Sequence, residues 1–181
     1  MITRAQYQQA VQGALSLFEK AHIAVTPREA ASIEVADFGL SNLKEIGLQL
    51  LIYINTPRVC AKEMALMPHQ TCPEHLHPEV NGEPGKEETF RCRWGTCHLF
   101  VSDPACTQPS PLAPASRRSH FTAWKEIVLQ PGEQYTIYPG TLHWFTAGDE
   151  GAVISEFSTM SRDEYDIFTD PDIRRATEIV D

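Results

Sequence analysis

Two histidines separated by one residue, followed by a pair of glutamates, are the residues of this chain whose types and spacing point most directly to chemistry. His75 and His77 lie two positions apart, and an extended strand places such residues on one face, about 6 to 7 Å apart. Between His77 and the acidic pair Glu87 and Glu88 the chain is rich in Pro and Gly, which predicts a turn. The segment therefore predicts a metal site on a β-hairpin, with imidazole and carboxylate ligands.

Strand parity selects one of the two glutamates. Glu88 shares a predicted strand face with Phe90, Cys92 and Trp94, because side chains alternate between the faces of a strand. Glu87 instead shares a face with basic residues. We therefore expect Glu88 to point into an apolar interior and to serve as the ligand.

A second block supplies a fourth candidate ligand. Residues 138–145 read as a Pro-Gly turn that enters a strand, and His143 lies in that strand. Three imidazoles and one carboxylate suit a first-row divalent ion and leave a coordination position open. Ordinary hydrogen-bonded histidines are the alternative. His69 is a less favoured substitute ligand, and the remaining histidines are expected to be structural or solvated: His22, His98 and His120.

These two blocks resemble the paired motifs of the cupin superfamily. The second block runs from Gly132 to Pro-Gly-X-X-His, and the first consists of His75, His77, Glu88 and Gly95. The spacing from the second histidine to the glutamate is longer than in most cupins. The resemblance implies a mainly β protein with a cupin barrel, or jelly roll, which the many short predicted strands also favour.

The longer spacing resembles that of one cupin family, the D-lyxose ketol-isomerases. The strings at residues 74–95, 155–164 and 166–171 are similar to that family, and the matches run from about residue 65 to the C-terminus. The resemblance implies an intramolecular oxidoreductase that interconverts D-lyxose and D-xylulose, and also D-mannose and D-fructose, by enediol proton transfer. It also implies a divalent metal, with Mn²⁺ expected and Zn²⁺, Co²⁺ or Fe²⁺ as alternatives.

Candidate catalytic residues surround this expected site. Glu156 lies in an otherwise apolar strand and is the favoured base, whereas an outward-facing glutamate is the alternative. Lys86 would reach substrate oxygens or else be a solvated turn lysine. Asp166 is the second acid-base candidate, with Arg162 as its orienting partner, and both would otherwise be surface charges. Aromatic residues predict an apolar wall for the sugar, or simply core: Phe90, Trp94 and Trp144.

The chain divides into three predicted parts of a single cupin domain spanning 1–181. Residues 1–45 carry two helix starts, Thr3 and the Thr26 capping box, and predict helical support for the barrel. Residues 46–160 carry the strands, at 47–54, 59–67, 123–129, 134–138, 142–146 and 152–157. Residues 161–181 predict a short C-terminal helical segment, with a capping box at 161–164 and a helical turn opening at Asp170.

Charge and composition exclude several partners. The net charge of −9 and the lack of basic runs argue against nucleic acid. No apolar stretch reaches the ~18 residues that cross a bilayer, and the start lacks a secretion signal, so we expect no membrane partner and a cytoplasmic location. Five cysteines without a C-x-x-C motif are expected to be reduced thiols.

A Pro-rich loop interrupts the strands at residues 103–118. Loops of this length often form lids or binding elements, and a plain insertion or a dimer contact is an equal alternative. Exposed barrel edges favour a homodimer.

Two other functions are compatible with the same sequence. The same ligand set serves cupin dioxygenases, in which iron binds oxygen and an organic substrate. A non-catalytic sugar-binding cupin is the other rival, in which a monosaccharide would be bound without turnover.

Overall fold

The computed structural model describes residues 1–181 and begins with one long helix, α1 (Arg4–Lys20). Thr3 and Gln6 form its capping box, as each side chain accepts from the other's backbone N–H. A one-turn helix, α2 (Pro27–Ala30), follows the Thr26 capping box. Both predicted helix starts are therefore confirmed, although the second helix is very short.

Eleven strands accompany these helices. They are β1 (Ile2–Thr3), β2 (Glu34–Ala36), β3 (Leu48–Asn55), β4 (Cys60–Leu66), β5 (Thr71–Leu76), β6 (Glu88–Val101), β7 (Lys125–Leu129), β8 (Gln134–Ile137), β9 (His143–Ser158), β10 (Ile167–Phe168) and β11 (Ile179–Val180). The predicted strands at 142–146 and 152–157 are thus two halves of one strand, β9.

Strand β9 organises the main sheet. Nine strands form that sheet, in the order β10-β5-β9-β4-β3-β2, with β6 added along β9 and with β7 and β8 paired to β6. The first half of β9 pairs with β5 and the second half with β4, whereas β6 pairs with both halves. The sheet therefore curls into the mainly β, cupin-type half-barrel that the motifs predicted.

The core has an inner and an outer layer. Twenty buried apolar residues, including Leu50, Met64 and Phe90, pack inside the curl. On the outer face, Leu17 and Phe18 of α1 pack near Val153 of the sheet. Helix α1 therefore covers one barrel face, as its apolar spacing predicted. Truncating a buried leucine such as Leu17 to alanine typically costs about 2–5 kcal/mol.

The C-terminal segment differs from the sequence-based expectation. Residues 161–181 contain a single 3₁₀ turn, Asp163–Tyr165, between irregular chain and the short strands β10 and β11. Ser161 does not cap a helix but donates its hydroxyl to Asp163. The predicted helical turn after Asp170 is also wrong, since no helix follows that residue. The Asp170 carboxylate instead accepts a bidentate hydrogen bond from Arg117, at 2.6 and 2.7 Å.

That same ion pair fixes the Pro-rich loop. Arg117 joins the loop to the C-terminal segment, and Ser116 donates to Glu45 at 2.6 Å. Beyond the loop, the buried carboxylate of Glu74 accepts hydrogen bonds from Thr122 and Thr169 at 2.7–2.9 Å. Segments 103–124 and 166–172 are thus held together against β5.

None of the helices is long and apolar enough to span a bilayer.

Candidate metal centre

The four predicted ligands come from three strands that meet inside the curled sheet. His75 on β5 and His143 on β9 are direct register partners. His77 follows the end of β5, and Glu88 is the first residue of β6. All four are buried, with at most 6% of any residue exposed.

The candidate ligands do not lie on a β-hairpin, so the predicted hairpin between His77 and Glu88 is wrong. Strand β5 pairs with β9 and β10, and β6 pairs with β7, β8 and β9, so no ladder joins β5 to β6. The Pro- and Gly-rich connection at 77–87 is irregular chain with one isolated bridge, Val80 to Glu83, rather than a tight hairpin turn. Glu88 reaches the histidines across the interior.

The side chains converge closely. One ligand nitrogen from each of His75, His77 and His143 lies within 4.8 Å of the other two. Oε1 of Glu88 is 3.1 Å from Nε2 of His77 and 3.0 Å from Nε2 of His143. The arrangement matches a three-histidine, one-carboxylate set for a divalent ion.

Each imidazole is oriented by a partner behind it. Nδ1 of His75 lies 2.8 Å from the carbonyl of Pro73, and Nδ1 of His143 lies 2.9 Å from that of Thr141. Because a carbonyl can only accept, both histidines donate from Nδ1 and keep a lone pair on Nε2. Nδ1 of His77 is 2.6 Å from Oδ1 of Asp166. Such outward hydrogen bonds typically fix the tautomer and orientation of metal-ligating histidines.

One buried nitrogen of the cluster lacks a hydrogen-bond donor, which indicates whether a cation fits between the ligands. Nε2 of His143 is buried and has no hydrogen-bond partner, although Glu88 Oε1 is only 3.0 Å away. With its proton on Nδ1, the imidazole offers a lone pair to a carboxylate oxygen, and two acceptors cannot bond to each other. A positive ion between them satisfies both, so the residues fit a divalent metal.

Charge at the ligands follows from burial and from their neighbours. Burial, together with His143 and His77, holds the pKa of His75 well below its usual value, so this imidazole is neutral. Burial also lowers the pKa of His77, but Glu88 and Asp166 outweigh it and raise that pKa to about 9 in the metal-free protein. Burial raises the pKa of Glu88, whereas Lys86 and His77 hold it well below the usual range. A metal ion would therefore displace a proton at His77.

Three of the four candidate ligands, His75, His77 and Glu88, line a chamber inside the barrel. Its empty volume is about 410 Å³, a figure that includes the open space at its mouth. Apolar side chains form one part of the wall, and charged side chains the other. The charged group comprises Lys62, Lys86, Glu88, Glu156, Asp163, Asp166 and Arg175.

Glu156 and Lys86 occupy the chamber as predicted, but in polar surroundings. Lys86 Nζ is 2.8 Å from Glu88 Oε2 and 3.2 Å from Glu156 Oε1. Lys62 Nζ lies 3.4 Å from the other carboxylate oxygen of Glu156. Lys86 is buried rather than solvated. Glu156 is thus held between two ammonium groups, whereas its strand had predicted apolar surroundings.

Asp166 and Arg162 do not form the predicted pair. Asp166 binds His77, and burial raises its pKa even though His77 opposes that shift. Arg162 donates to the carbonyl of Pro84 at 3.1 Å and lies 3.6 Å from the Glu83 carboxylate. It lines a small cleft beside the chamber that also contacts His77. The two side chains thus turn to different partners.

The predicted aromatic wall is only partly present. Phe90 lines the chamber, whereas Trp144 lies outside it in a separate cluster and donates its Nε1–H to Ala123 at 2.7 Å. His143 and Trp144 are neighbours on one strand, so they point to opposite faces. Trp94 packs with the outer layer near α1, because a register shift after Cys92 reverses the parity of β6.

Three charged chamber residues were missed by sequence reasoning: Lys62, Asp163 and Arg175. The sequence did contain a signal for Lys62: it lies two residues before the apolar Met64, so both side chains point to the same face of β4. Asp163 was assigned to a helix cap, and nothing around Arg175 in the sequence pointed to a site. Asp163 lies 3.2 Å from Arg175, which also contacts Glu34 at 2.5 Å.

Comparisons with known proteins agree with this geometry. The model of a family described as D-lyxose isomerase matches residues 19–181. The D-lyxose/D-mannose isomerase of Thermosediminibacter oceani is 54% identical over 181 residues, all of both chains. The D-lyxose ketol-isomerase of Cohnella laeviribosi is 58% identical over 171 residues, covering 94% of this chain and 93% of its own.

A solved structure shares the fold at lower identity. The crystal structure of Acinetobacter sp. DL28 L-ribose isomerase in complex with L-ribose superposes with a TM-score of 0.80. It is 18% identical, and the match covers 99% of this chain and 98% of that one. The same curled architecture therefore occurs in a protein of very different sequence.

Proposed function

This chain is an isomerase that belongs to the D-lyxose isomerase family, and from that premise we propose that it interconverts D-lyxose and D-xylulose with a bound divalent metal. One observation carries the proposal. The chamber is lined by three of the four candidate ligands, His75, His77 and Glu88, and also by Glu156, the candidate base. Metal-binding and proton-transferring groups thus share one small cavity.

The metal would be held by His75, His77, His143 and Glu88. When bound, a divalent ion there supplies a positive charge that polarises the first two oxygens of the sugar and stabilises the negative charge that develops on them. Asp166 orients His77 from behind. Phe90 belongs to the apolar part of the chamber wall.

Glu156 moves the proton. Its carboxylate takes the proton from C2 of the open-chain aldose, and the electrons of the broken C–H bond form the enediol double bond between C1 and C2. The same carboxyl group then returns the proton to C1. The hydroxyl proton of O2 passes to O1 in the same sequence, so the ketose product has the composition of the aldose.

Lys86 supports this transfer from the metal side of the chamber. Its ammonium contacts both Glu88 and Glu156, and it can donate to a sugar oxygen while negative charge develops there. Burial lowers the pKa of Lys86, but Glu156 and Glu88 raise it well above the usual value, so the group is charged. Asp166 remains the second acid-base candidate.

We extend the proposed substrates to D-mannose and its ketose D-fructose. D-mannose has the configuration of D-lyxose at the carbons nearest the carbonyl, which are the ones that react. The D-lyxose/D-mannose isomerase of Thermosediminibacter oceani, similar along its whole length, bears both names. Mn²⁺ is the metal we propose. Imidazole and carboxylate ligands also accept Zn²⁺, Co²⁺ or Fe²⁺, which are the alternatives.

We also propose a cytoplasmic homodimer. All five cysteines are free thiols, as expected in a reducing compartment. Ile54 and Phe157 flank Ala61 in one row across three strands, and they are 45% and 52% exposed. Such an apolar patch on a sheet face is typical of a subunit contact. Sedimentation analysis of the wild type and of Phe157→Glu tests this assembly, and a wild-type monomer would contradict it.

Turnover of a stripped and reloaded enzyme tests the function. The protein is treated with EDTA, and ketose formation from D-lyxose, D-mannose, D-xylose and D-ribose is followed with and without Mn²⁺. Metal-restored turnover of D-lyxose or D-mannose is the expected result. Bound metal without turnover of any aldose would contradict the proposal, and oxygen consumption after loading with iron would point to a dioxygenase instead.

A further inference from the structure

Lys62 is a buried cation that no ligand role explains. It lies on β4, directly opposite Glu156 of β9 in the strand register, and only 2% of its side chain is exposed. Nζ lies 3.4 Å from Glu156 Oε2, 3.5 Å from Asp163 Oδ2 and 3.1 Å from Ser161 Oγ. None of these partners is a predicted metal ligand.

Packing alone does not require a lysine at this position. The neighbouring wall residues Leu50 and Met64 are apolar, and replacing a buried ion pair with apolar residues of similar volume is often neutral or stabilising. A buried ammonium is retained at a cost in desolvation. Burial lowers the pKa of Lys62, but Glu156 and Asp163 raise it above the usual value, despite opposition from Lys86, so the charge persists.

The two oxygens of Glu156 have different partners. Oε1 lies 3.2 Å from Lys86 and accepts from Ser158 at 2.9 Å. Oε2 has Lys62 at 3.4 Å. Lys86 is shared with the metal ligand Glu88 at 2.8 Å, whereas Lys62 contacts none of the ligands. Lys62 is therefore the cation that acts on the carboxylate without acting on the metal cluster.

We propose that Lys62 is a positioning residue for proton transfer, one that orients the Oε2 atom of Glu156 in the chamber. The inference rests on the proposed isomerase function. The Lys62 ammonium lies at ion-pair distance from Oε2, 3.4 Å away, and an ionised carboxylate oxygen keeps further lone pairs for the C2 proton. Ser161 and Asp163 hold the same ammonium, which fixes its distance from Glu156.

The charged and titratable groups around the carboxylate are few. They are Lys62 and the Cys60 thiol on β4, Lys86 before β6, and Asp163 behind Lys62. Burial raises the pKa of Cys60, so its thiol is neutral near pH 7. Removing Lys62 therefore removes one of the two cations that contact the Glu156 carboxylate.

The experiment compares Lys62→Met, Lys62→Arg and a matched surface control, Lys125→Met, with the wild type. Lys125 pairs with Asp103 on the exterior at 2.9 Å. We measure kcat and KM on D-lyxose with Mn²⁺, the metal content, and the affinity for D-arabinitol, the unreactive polyol formed by reducing D-lyxose. The polyol separates sugar binding from proton transfer.

For Lys62→Met we expect kcat to fall about 10- to 100-fold, because Glu156 loses the cation that orients Oε2, and proton transfer depends on a well-placed acceptor. KM, metal content and arabinitol affinity stay within threefold of the wild type. Lys62→Arg restores most of the lost kcat, and Lys125→Met changes nothing.

Several outcomes would overturn the inference. A Lys62→Met kcat equal to that of the wild type would do so, and so would a parallel loss of arabinitol affinity, which would make Lys62 a sugar contact. If Lys62→Met does not fold, Ser161→Ala replaces it, since it removes one anchor of the ammonium, and an unchanged kcat there is equally contrary. A wild type without turnover would instead refute the proposed function itself.

Discussion

Oε1 of Glu88 lies 3.0 Å from Nε2 of His143, although the two residues stand at opposite ends of the ladder between β6 and β9. In that ladder Glu88 pairs with Ser158, and His143 pairs with Val101. Only the curl of the two long strands brings their ends together. The candidate metal centre is therefore built where the barrel closes on itself.

Loss of His143 should abolish metal binding. His143→Asn removes an imidazole nitrogen that faces Glu88, and we expect Mn²⁺ affinity to fall more than about 100-fold, beyond the 10- to 100-fold loss usual for an outer partner. Titration calorimetry on the stripped protein measures this affinity. His98→Asn is the control, because His98 pairs with Glu126 away from the chamber at 2.7 Å. Undiminished Mn²⁺ binding by His143→Asn would refute the ligand assignment.

Glu156→Gln should stop proton transfer without emptying the metal site. The amide cannot accept the C2 proton, so we expect kcat to fall about 10²- to 10⁴-fold, the usual contribution of a general base. Exchange of solvent deuterium into the sugar should be lost as well. The matched control is Glu63→Gln, another buried glutamate, which accepts from Ser155 at 2.8 Å outside the chamber. Wild-type turnover by Glu156→Gln would mean that another residue is the base.

Asp166→Asn separates two roles of one carboxylate. Because Asp166 supports His77 from behind at 2.6 Å, we expect Mn²⁺ affinity to fall about 10- to 100-fold, with kcat largely recovered at saturating metal. Asp172→Asn is the surface control, since Asp172 is largely exposed beside Arg117. A loss of kcat that saturating metal does not restore would instead make Asp166 an acid-base residue.

The N-terminal ammonium should contribute to stability in a pH-dependent way. It lies 2.7 Å from the buried carboxylate of Asp37. Burial raises the pKa of Asp37, but this ammonium and the Gly39 N–H hold it below the usual value. The group therefore takes up its proton at lower pH in the folded chain than in the unfolded one, and its stabilisation is present above pH ~4 and lost as pH falls further.

Asp37→Asn tests that dependence. We expect the variant to be less stable than the wild type at pH 7 by about 1.5–3 kcal/mol, the range for hydrogen bonds to charged groups. The difference in the free energy of unfolding should shrink below pH 4. Urea unfolding at pH 7 and pH 3.5 measures both values, with the exposed Asp149→Asn as control. A difference that grows in acid would contradict this assignment.

Local pattern was enough to predict which strand-bound candidate ligands face the barrel interior. His75, Glu88 and His143 lie on strands whose two-residue period decides which side chains face inward, and Gly and Pro mark where those strands end. The helix starts at Thr3 and Thr26 are also local, since a capping box needs only four residues. The same local rule failed at Trp94, where a register shift reversed the parity of β6.

The sequence by itself thus determined the identity of the predicted ligands, the mainly β class and the family resemblance. Tertiary structure alone decided that the ligand strands are not a hairpin, that Asp166 turns to His77 rather than Arg162, and that Lys62 meets Glu156. These contacts join residues far apart in the chain, and they depend on how tightly the sheet curls. Curl arises from the pairing of whole strands, which no short window of sequence encodes.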